Sequence, residues 1–200
     1  MGEPDSEQLD GDLVVAALAG SQQAYAGLLK RYERPVFSIV VRIVRDRAEA
    51  EEVAQEAFLK AFRNLESYDQ GRKFSSWLFK IAHNSAIDLL RRRRLQTVPI
   101  ETPGEDDRDL LARIADEAAE DPSFLLERQD FMRAFESAVS ELRLEVRQVL
   151  VLRYQADFSY EEIADETGLP LGTVKTYIHR GRKRLAVRLE ALGWSPDRLG

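Results

Sequence analysis

Lys175, Thr176, His179 and Arg180 recur at spacings that place them on one side of a helix, and Arg182, Lys183 and Arg184 follow directly. No acid interrupts Leu171–Arg188. Hydroxyl, imidazole and guanidinium groups in that arrangement can meet base edges in the major groove of DNA, while the remaining cations meet phosphates. A second constellation lies in Phe74–Arg94, FSSWLFKIAHNSAIDLLRRRR, where Trp77, Phe79, Lys80 and Asn84 precede four consecutive arginines, Arg91–Arg94. Each aromatic alone reads as core, and the arginines alone as a solvated helix end, where the macrodipole favours cations. Together they suit single-stranded DNA, whose unstacked bases need flat partners and whose phosphates need cations. An asparagine can also read a base swung out of the stack.

Catalysis has little support. Lys80 and Thr176 stand three residues before His83 and His179, so the Glu-x-x-His signature of helical di-metal sites is missing. HExxH, GxxxxGK[ST] and GxSxG are absent as well. Glu51, Glu52 and Glu56 read as a solvated face, and no cofactor or metal is called for.

The elements that must position these residues are helical. Tyr160–His179 reads YEEIADETGLPLGTVKTYIH, with small Ala164 fifth, where two helices touch, and Gly168 ninth, where the turn needs a left-handed backbone. Ile163, Leu169, Val174 and Tyr177 take the inward positions of a helix-turn-helix. Gly181 falls inside the second helix, where Gly costs ~1 kcal/mol relative to Ala; close approach of backbone to phosphate is the reason the sequence offers. Ala50, Val53, Ala54, Ala57, Phe58, Ala61, Phe62 and Leu65 form a buried stripe at helical period. In Phe74–Leu90 the inward stripe is Leu78, Ile81, Ala82, Ser85 and Leu89, with Lys80, Asn84, Ile87 and Arg91 on another face. Val36–Val41 is β-branched and fits a buried strand or a buried helix. No alternating segment exists to pair with it, so a helix is expected, with Pro35 in its first turn. Asp121 and Pro122 open another helix through Phe131, Phe135, Ala138 and Leu142, followed by one over Val146–Tyr154.

The 200 residues, 44% hydrophobic and 32% charged, can bury a core. The chain has no Cys, which excludes disulfides and thiolate metal sites. Its apolar runs are far below the ~20 residues of a membrane helix, and its acidic N-terminus is unlike a secretory signal. No membrane insertion and a cytoplasmic location are expected. The net charge is −6, but Met1–Asp12 holds −5 and Glu101–Asp130 holds −8, which leaves +7 on the rest. Local field decides phosphate attraction over a Debye length of roughly 8–10 Å.

The expected architecture is all-α: two small helical domains joined by a flexible acidic linker, the second a helix-turn-helix domain. Its parts are an acidic tail (1–12), a first domain (13–94), the linker (95–121), a second domain (122–193) and a C-terminal tail (194–200). A short helix near Leu110–Ala119 is allowed within the linker.

The order AEEVAQEAFLKAF, FSSWLFKIAHNSAIDLLRRRR and SYEEIADETGLPLGTVKTYIHRGRKRL resembles bacterial RNA polymerase sigma factors of the extracytoplasmic-function (ECF) group. The resemblance covers about Leu13–Arg94 and Ser123–Leu192. It implies a sigma region 2-like first domain that binds core polymerase at its clamp and melts the −10 element. It also implies a region 4-like second domain, near the flap, that recognises the −35 element. By this resemblance Lys175, Thr176, His179, Arg180, Arg182, Lys183 and Arg184 meet the −35 duplex. Asn84 lies near a captured −10 base, with Trp77 and Phe79 as melting aromatics. The stretch Tyr68–Lys73 forms a loop around that base, Lys80 lies alongside, and Arg91, Arg92, Arg93 and Arg94 follow phosphates. Glu52, Gln55, Glu56, Leu59, Lys60 and Arg63 face core polymerase, with apolar Leu59 as the anchor. A free monomer, an anti-sigma partner and nucleoid association through polymerase are implied too.

The alternative is a helix-turn-helix regulator that acts on duplex DNA without joining polymerase. The sequence also departs from the family. LRLEVRQ lacks the usual Pro after Leu142, which lengthens or fuses helices there. Gly181 replaces a small Ala, and Tyr177 stands where several relatives carry Arg, so a −35 preference does not transfer. The acidic run around Glu105, Asp106, Asp107 and Asp109 presents a field like that of nucleic acid, suited to the basic RNA-exit path of polymerase.

Overall fold

The β-branched run after Pro35 is helical and continues a helix that starts at Gln22. In this computed structural model the described residues are 6–96 and 122–194, with side chains from Leu9 to Leu95 and from Gln129 to Trp194. Their regular structure is entirely helical, and they form two compact units divided after Pro99. Residues 97–121, with the acidic run Glu105–Asp109 and the short helix expected near Leu110–Ala119, lie outside the described residues, whereas Leu95 and Gln96, expected to open the linker, are the last two residues of the helix that begins at Phe74.

The first unit contains α1 (Ser6–Leu18), α2 (Gln22–Val44), α3 (Arg47–Arg63), a 3-10 turn (Leu65–Ser67) and α4 (Phe74–Gln96). Pro35, expected in a first helical turn, lies well inside α2. An interior Pro costs a helix about 3 kcal/mol through a lost hydrogen bond and a ring clash. Nine buried side chains outweigh it, from Ala24, Leu28 and Tyr32 on one side of the Pro to Val36, Ile39, Ile43 and Val44 on the other. Each large apolar side chain contributes roughly 1.5–3 kcal/mol when fully buried.

Residues 6–12, expected in an acidic tail, belong to α1. Asp10 is only 5% exposed. It accepts a hydrogen bond from the Tyr32 hydroxyl and lies 3.0 Å from Arg31 Nε. Burial, and then the carboxylate beside it, push the Tyr32 phenol above its ordinary pKa. One acid of the supposed tail is thus an anchor between α1 and α2.

Asp46 caps α3 by accepting from the Glu49 amide at 2.9 Å. The stripe Ala50, Val53, Ala54, Ala57, Phe58 and Ala61 is buried against α2 and α4 as expected, Phe62 is only half-buried, and Leu65 closes its end. On α4, Leu78, Ala82 and Ala86 complete the core.

The second unit contains α5 (Pro122–Ser140), α6 (Leu144–Tyr154), α7 (Tyr160–Thr167) and α8 (Leu171–Ala191). The absent Pro after Leu142 does not fuse helices. Arg143 is extended, at φ −59° and ψ 147°, and Leu142 is buried at the junction. Buried Arg147 reaches back and donates to the Ser140 carbonyl at 3.3 Å. That satisfies an orphan acceptor at the end of α5.

Ser159 and Glu162 form a reciprocal capping box at the start of α7. Gly168 ends α7 at φ 69°, as the turn requires. Ile163 and Val174 are fully buried, while Leu169 and Tyr177 are half-buried. Ile178, which the inward set omitted, is buried too.

Candidate nucleic-acid interface

On α8 the three buried positions Val174, Ile178 and Gly181 turn the helix against its neighbours. Lys175, Thr176, His179, Arg180, Arg182, Lys183 and Arg184 are therefore all exposed. Among the described residues none of their cations has an acid within ion-pair distance. Elsewhere in the unit cations are matched: Arg188 lies 2.8 Å from Glu141, and Arg133 lies 3.3 Å from Asp130. The Thr176 hydroxyl donates to the Gly172 carbonyl at 2.8 Å, which leaves its oxygen free to accept. Apart from the Thr176 hydroxyl, this face is a set of side-chain donors with no partner among the described residues.

Gly181 has a different role from the one expected. It is buried against α6, and a Cβ built there would stand 2.7 Å from Leu150 Cδ1 and 2.9 Å from Val146 Cγ1. The close approach is between two helices, not between backbone and phosphate. It seats α8 on the cluster of Leu142, Val146 and Leu150, flanked by Tyr177 and Leu185.

In the first unit α3, the 3-10 turn and α4 enclose an open cleft of about 330 Å³. Lys60, Asn64, Ser67, Trp77, Ile81, Asn84, Ser85 and Asp88 line it. Trp77 is held by ring contacts at 5.8 Å to buried Phe74 and 5.4 Å to Tyr68. The Tyr68 hydroxyl donates to the Arg72 carbonyl, which folds the preceding loop onto this aromatic wall. Asn84 is exposed, and Lys73 and Lys80 are exposed nearby in sequence.

Phe79 is not part of this surface. It is 6% exposed and packs edge-on to Tyr32 with centroids 5.9 Å apart. Helical geometry separates it from Trp77 by two positions and hence by more than half a turn. Phe79 is a core residue, so its expected role in melting is withdrawn. The arginine block is uneven. Arg93 is 2.6 Å from Glu49 of α3, Arg91 lies 3.9 Å from Asp88, and Arg92 Nε donates to the Asp88 carbonyl at 3.4 Å. Arg94 is exposed.

The sequence reading leaves out Asn64, Ser67 and Asp88, while Ile81 and Ser85, read as inward, also border the cleft, Ser85 being buried as that reading expects. The signal was present, since positions 77, 81, 84, 85 and 88 form one helical stripe. What hid it was that the stripe mixes apolar and polar types.

On the outer face of α3, Glu52, Gln55, Leu59 and Arg63 are exposed, Leu59 at 55%. Glu56 and Lys60 lie at its edge, half-buried and 2.9 Å apart. Among the described residues no cluster of three metal-capable side chains occurs, and no helix is long and apolar enough to cross a membrane.

Comparison with known proteins agrees with this division. Residues 28–96 match the family Sigma-70 region 2, and residues 132–185 match Sigma-70, region 4. The chain is 34% identical to the ECF RNA polymerase sigma factor SigW of Bacillus subtilis, over 86% of this chain and 92% of the relative. It is 30% identical to the ECF RNA polymerase sigma-E factor of Escherichia coli K12, over 94% and 98%. Among solved structures, CnrH in complex with the cytosolic domain of CnrY has a TM-score of 0.57 at 25% identity, covering 92% of this chain and 98% of that one. The sigma factor RpoE of Bartonella quintana, solved with the anti-sigma factor NepR, has a TM-score of 0.58 at 24% identity, covering 83% and 96%. Two region matches in order, relatives aligned along nearly their whole length and two helical units with the expected helix-turn-helix place the chain among the ECF sigma factors, the promoter-recognising initiation factors of bacterial RNA polymerase.

Proposed function

We propose that this sigma factor divides promoter work between its units: α8 reads the −35 duplex, and the first-unit cleft captures the opened −10 strand. Lys175, Thr176, His179 and Arg180 address bases and adjacent backbone, and Arg182, Lys183 and Arg184 address phosphates. In the cleft Trp77 offers a stacking wall and Asn84 an amide for the base edge. Lys73, Lys80, Arg91, Arg92 and Arg94 track the strand around it. Arg93 contributes less, because Glu49 already neutralises it. The outer face of α3, anchored by Leu59 and ringed by Glu52, Gln55, Glu56 and Arg63, meets the clamp of core polymerase. The second unit acts near the flap.

The observation that carries this reading is the cleft itself, an aromatic wall with an exposed amide beside a cationic helix end. A factor that bound only duplex DNA would have no use for it. RpoE of B. quintana was captured with an anti-sigma factor, which supports a partner of that kind for this chain. The acidic segment 101–121 remains suited to a basic channel of polymerase.

The test is reconstitution with core RNA polymerase on a promoter library, with permanganate footprinting of thymines near the start site. Specific initiation with reactive thymines is expected. Tight operator binding by the protein alone, with no initiation, would return the chain to the class of simple duplex-binding regulators.

A further inference from the structure

Two residues other than glycine have a positive φ among those described, Arg45 at 64° and Asp157 at 56°. Asp enters the left-handed region readily, because its short side chain bonds locally. A long arginine has no such compensation. Arg45 ends α2, and its N–H donates to the Val41 carbonyl at 2.9 Å, a cap that Gly would form without steric cost. A cation does suit the negative end of the helix dipole, but Arg42 already supplies one in the last turn. Strain of this kind is kept where the residue serves a function.

Arg45 is exposed, and its guanidinium has no partner among the described residues. The charges around it are committed. Asp46 caps α3, Arg47 donates to Glu51 at 2.8 Å, and Glu49 lies 2.6 Å from Arg93. The last pair ties the start of α3 to the end of α4. Glu49 follows Arg45 by about one helical turn of chain, so Arg45 stands at the same end of the unit as the arginine block. Trp77 is near the other end of α4, roughly 25 Å from Arg94 at 1.5 Å per residue. That length spans about seven base pairs of duplex at 3.4 Å each. The two ends of α4 therefore serve different stretches of DNA.

We propose that Arg45 binds the phosphate backbone of the duplex that flanks the opened strand, together with Arg92 and Arg94. This rests on the reading that α4 lies along promoter DNA with strand capture at Trp77. The ligand is a phosphodiester of duplex DNA, met by an unpaired guanidinium and bound without regard to sequence. The backbone is then held from two elements, the α2–α3 turn and α4, and not from one helix end alone.

The experiment compares wild type, Arg45→Gly, Arg45→Lys and Arg94→Ala, each as the full chain. Affinity for core polymerase and the unfolding midpoint are measured first. The holoenzymes are then titrated over a salt series with a forked DNA, whose −10 strand is single and whose flank is paired. The same strand without its paired flank is the second probe. Arg45→Gly relaxes the backbone, so it should unfold no earlier than wild type and bind core within about twofold. It should bind the fork about fivefold more weakly, with a slope of log affinity against log salt smaller by about 0.9, the loss of one phosphate contact. Arg45→Lys should keep the slope. The strand without its flank should bind wild type and Arg45→Gly alike.

An unchanged fork affinity and slope in Arg45→Gly would leave Arg45 as a helix cap and overturn the proposal. So would an equal loss on both DNAs, which would move the contact to the opened strand. A fall in core affinity would move Arg45 to the polymerase face and overturn it too. If Arg94→Ala also leaves the fork untouched, the reading that this end of α4 meets promoter backbone fails as well; if Arg94→Ala weakens the fork and Arg45→Gly does not, that reading stands and only the proposal falls.

Discussion

Gly181→Ala sets helix propensity against packing. In an isolated helix the change stabilises by ~1 kcal/mol, because Gly gives up the most backbone freedom. In α8 the new methyl would stand 2.7 Å from Leu150 Cδ1, 2.9 Å from Val146 Cγ1 and 3.2 Å from Leu150 Cγ. The last of these is not a freely moving chain end, so α8 must move away from α6 or Leu150 must leave its rotamer. Overpacking of this kind costs roughly 1–3 kcal/mol. The expected net is a destabilisation of up to about 2 kcal/mol. The assay is urea unfolding followed by Trp194, which packs on Phe131 at 5.1 Å in the second unit, in a Trp77→Phe background that silences the other indole. A cycle with Leu150→Ala isolates the contact. Without the leucine, Gly181→Ala should cost at least ~1 kcal/mol less than in the parent, as expected for residues in direct contact. Stabilisation by about 1 kcal/mol, additive with Leu150→Ala, would mean that helix propensity rules and that α8 does not depend on this approach.

Other substitutions separate function from support. Lys175→Ala or Arg180→Ala should weaken −35 duplex binding by about 1–3 kcal/mol where a base contact is lost, whereas a loss equal on all sequences would mark a phosphate contact. Phe79→Ala should cost ~3–5 kcal/mol of stability by opening a cavity, while Trp77→Ala, at a half-buried ring, should cost clearly less and abolish permanganate-reactive thymines; the opposite pattern would exchange their roles. Tyr32→Phe should cost about 1–3 kcal/mol, since buried Asp10 loses a donor. Because the folded pKa of Tyr32 is raised, its contribution is complete below pH ~10, the unfolded value, and declines as pH climbs beyond it. Urea titrations of wild type and Tyr32→Phe should therefore converge only at alkaline pH, and a constant difference across that range would argue against a proton-dependent anchor.

Much of the architecture was legible because it depends on local pattern. The α7–α8 pair could be placed from Ala164, Gly168 and the inward set, since a two-helix hairpin is specified within twenty residues by turn chemistry and period. The α3 stripe was equally plain. Pro35 was misread because Pro is a strong local breaker, while the burial that overrides it comes from other helices. Asp10 was misread for the same reason: composition makes it part of an acidic tail, and its partners Tyr32 and Arg31 are far along the chain.

What could be known from residues alone was therefore the class of each helix, the sign of each surface and the family to which their order belongs. Which aromatic faces outward, Trp77 and not Phe79, was settled by how α4 lies against α2, because two residues of equal chemistry differ only in the neighbours they meet. The same holds for Gly181 and Lys60. One is explained by a helix that passes within a methyl's width, the other by a hydroxyl on α4, twenty-five residues away. Period and propensity act over a few residues, whereas a close approach or a buried partner exists only once distant segments have packed.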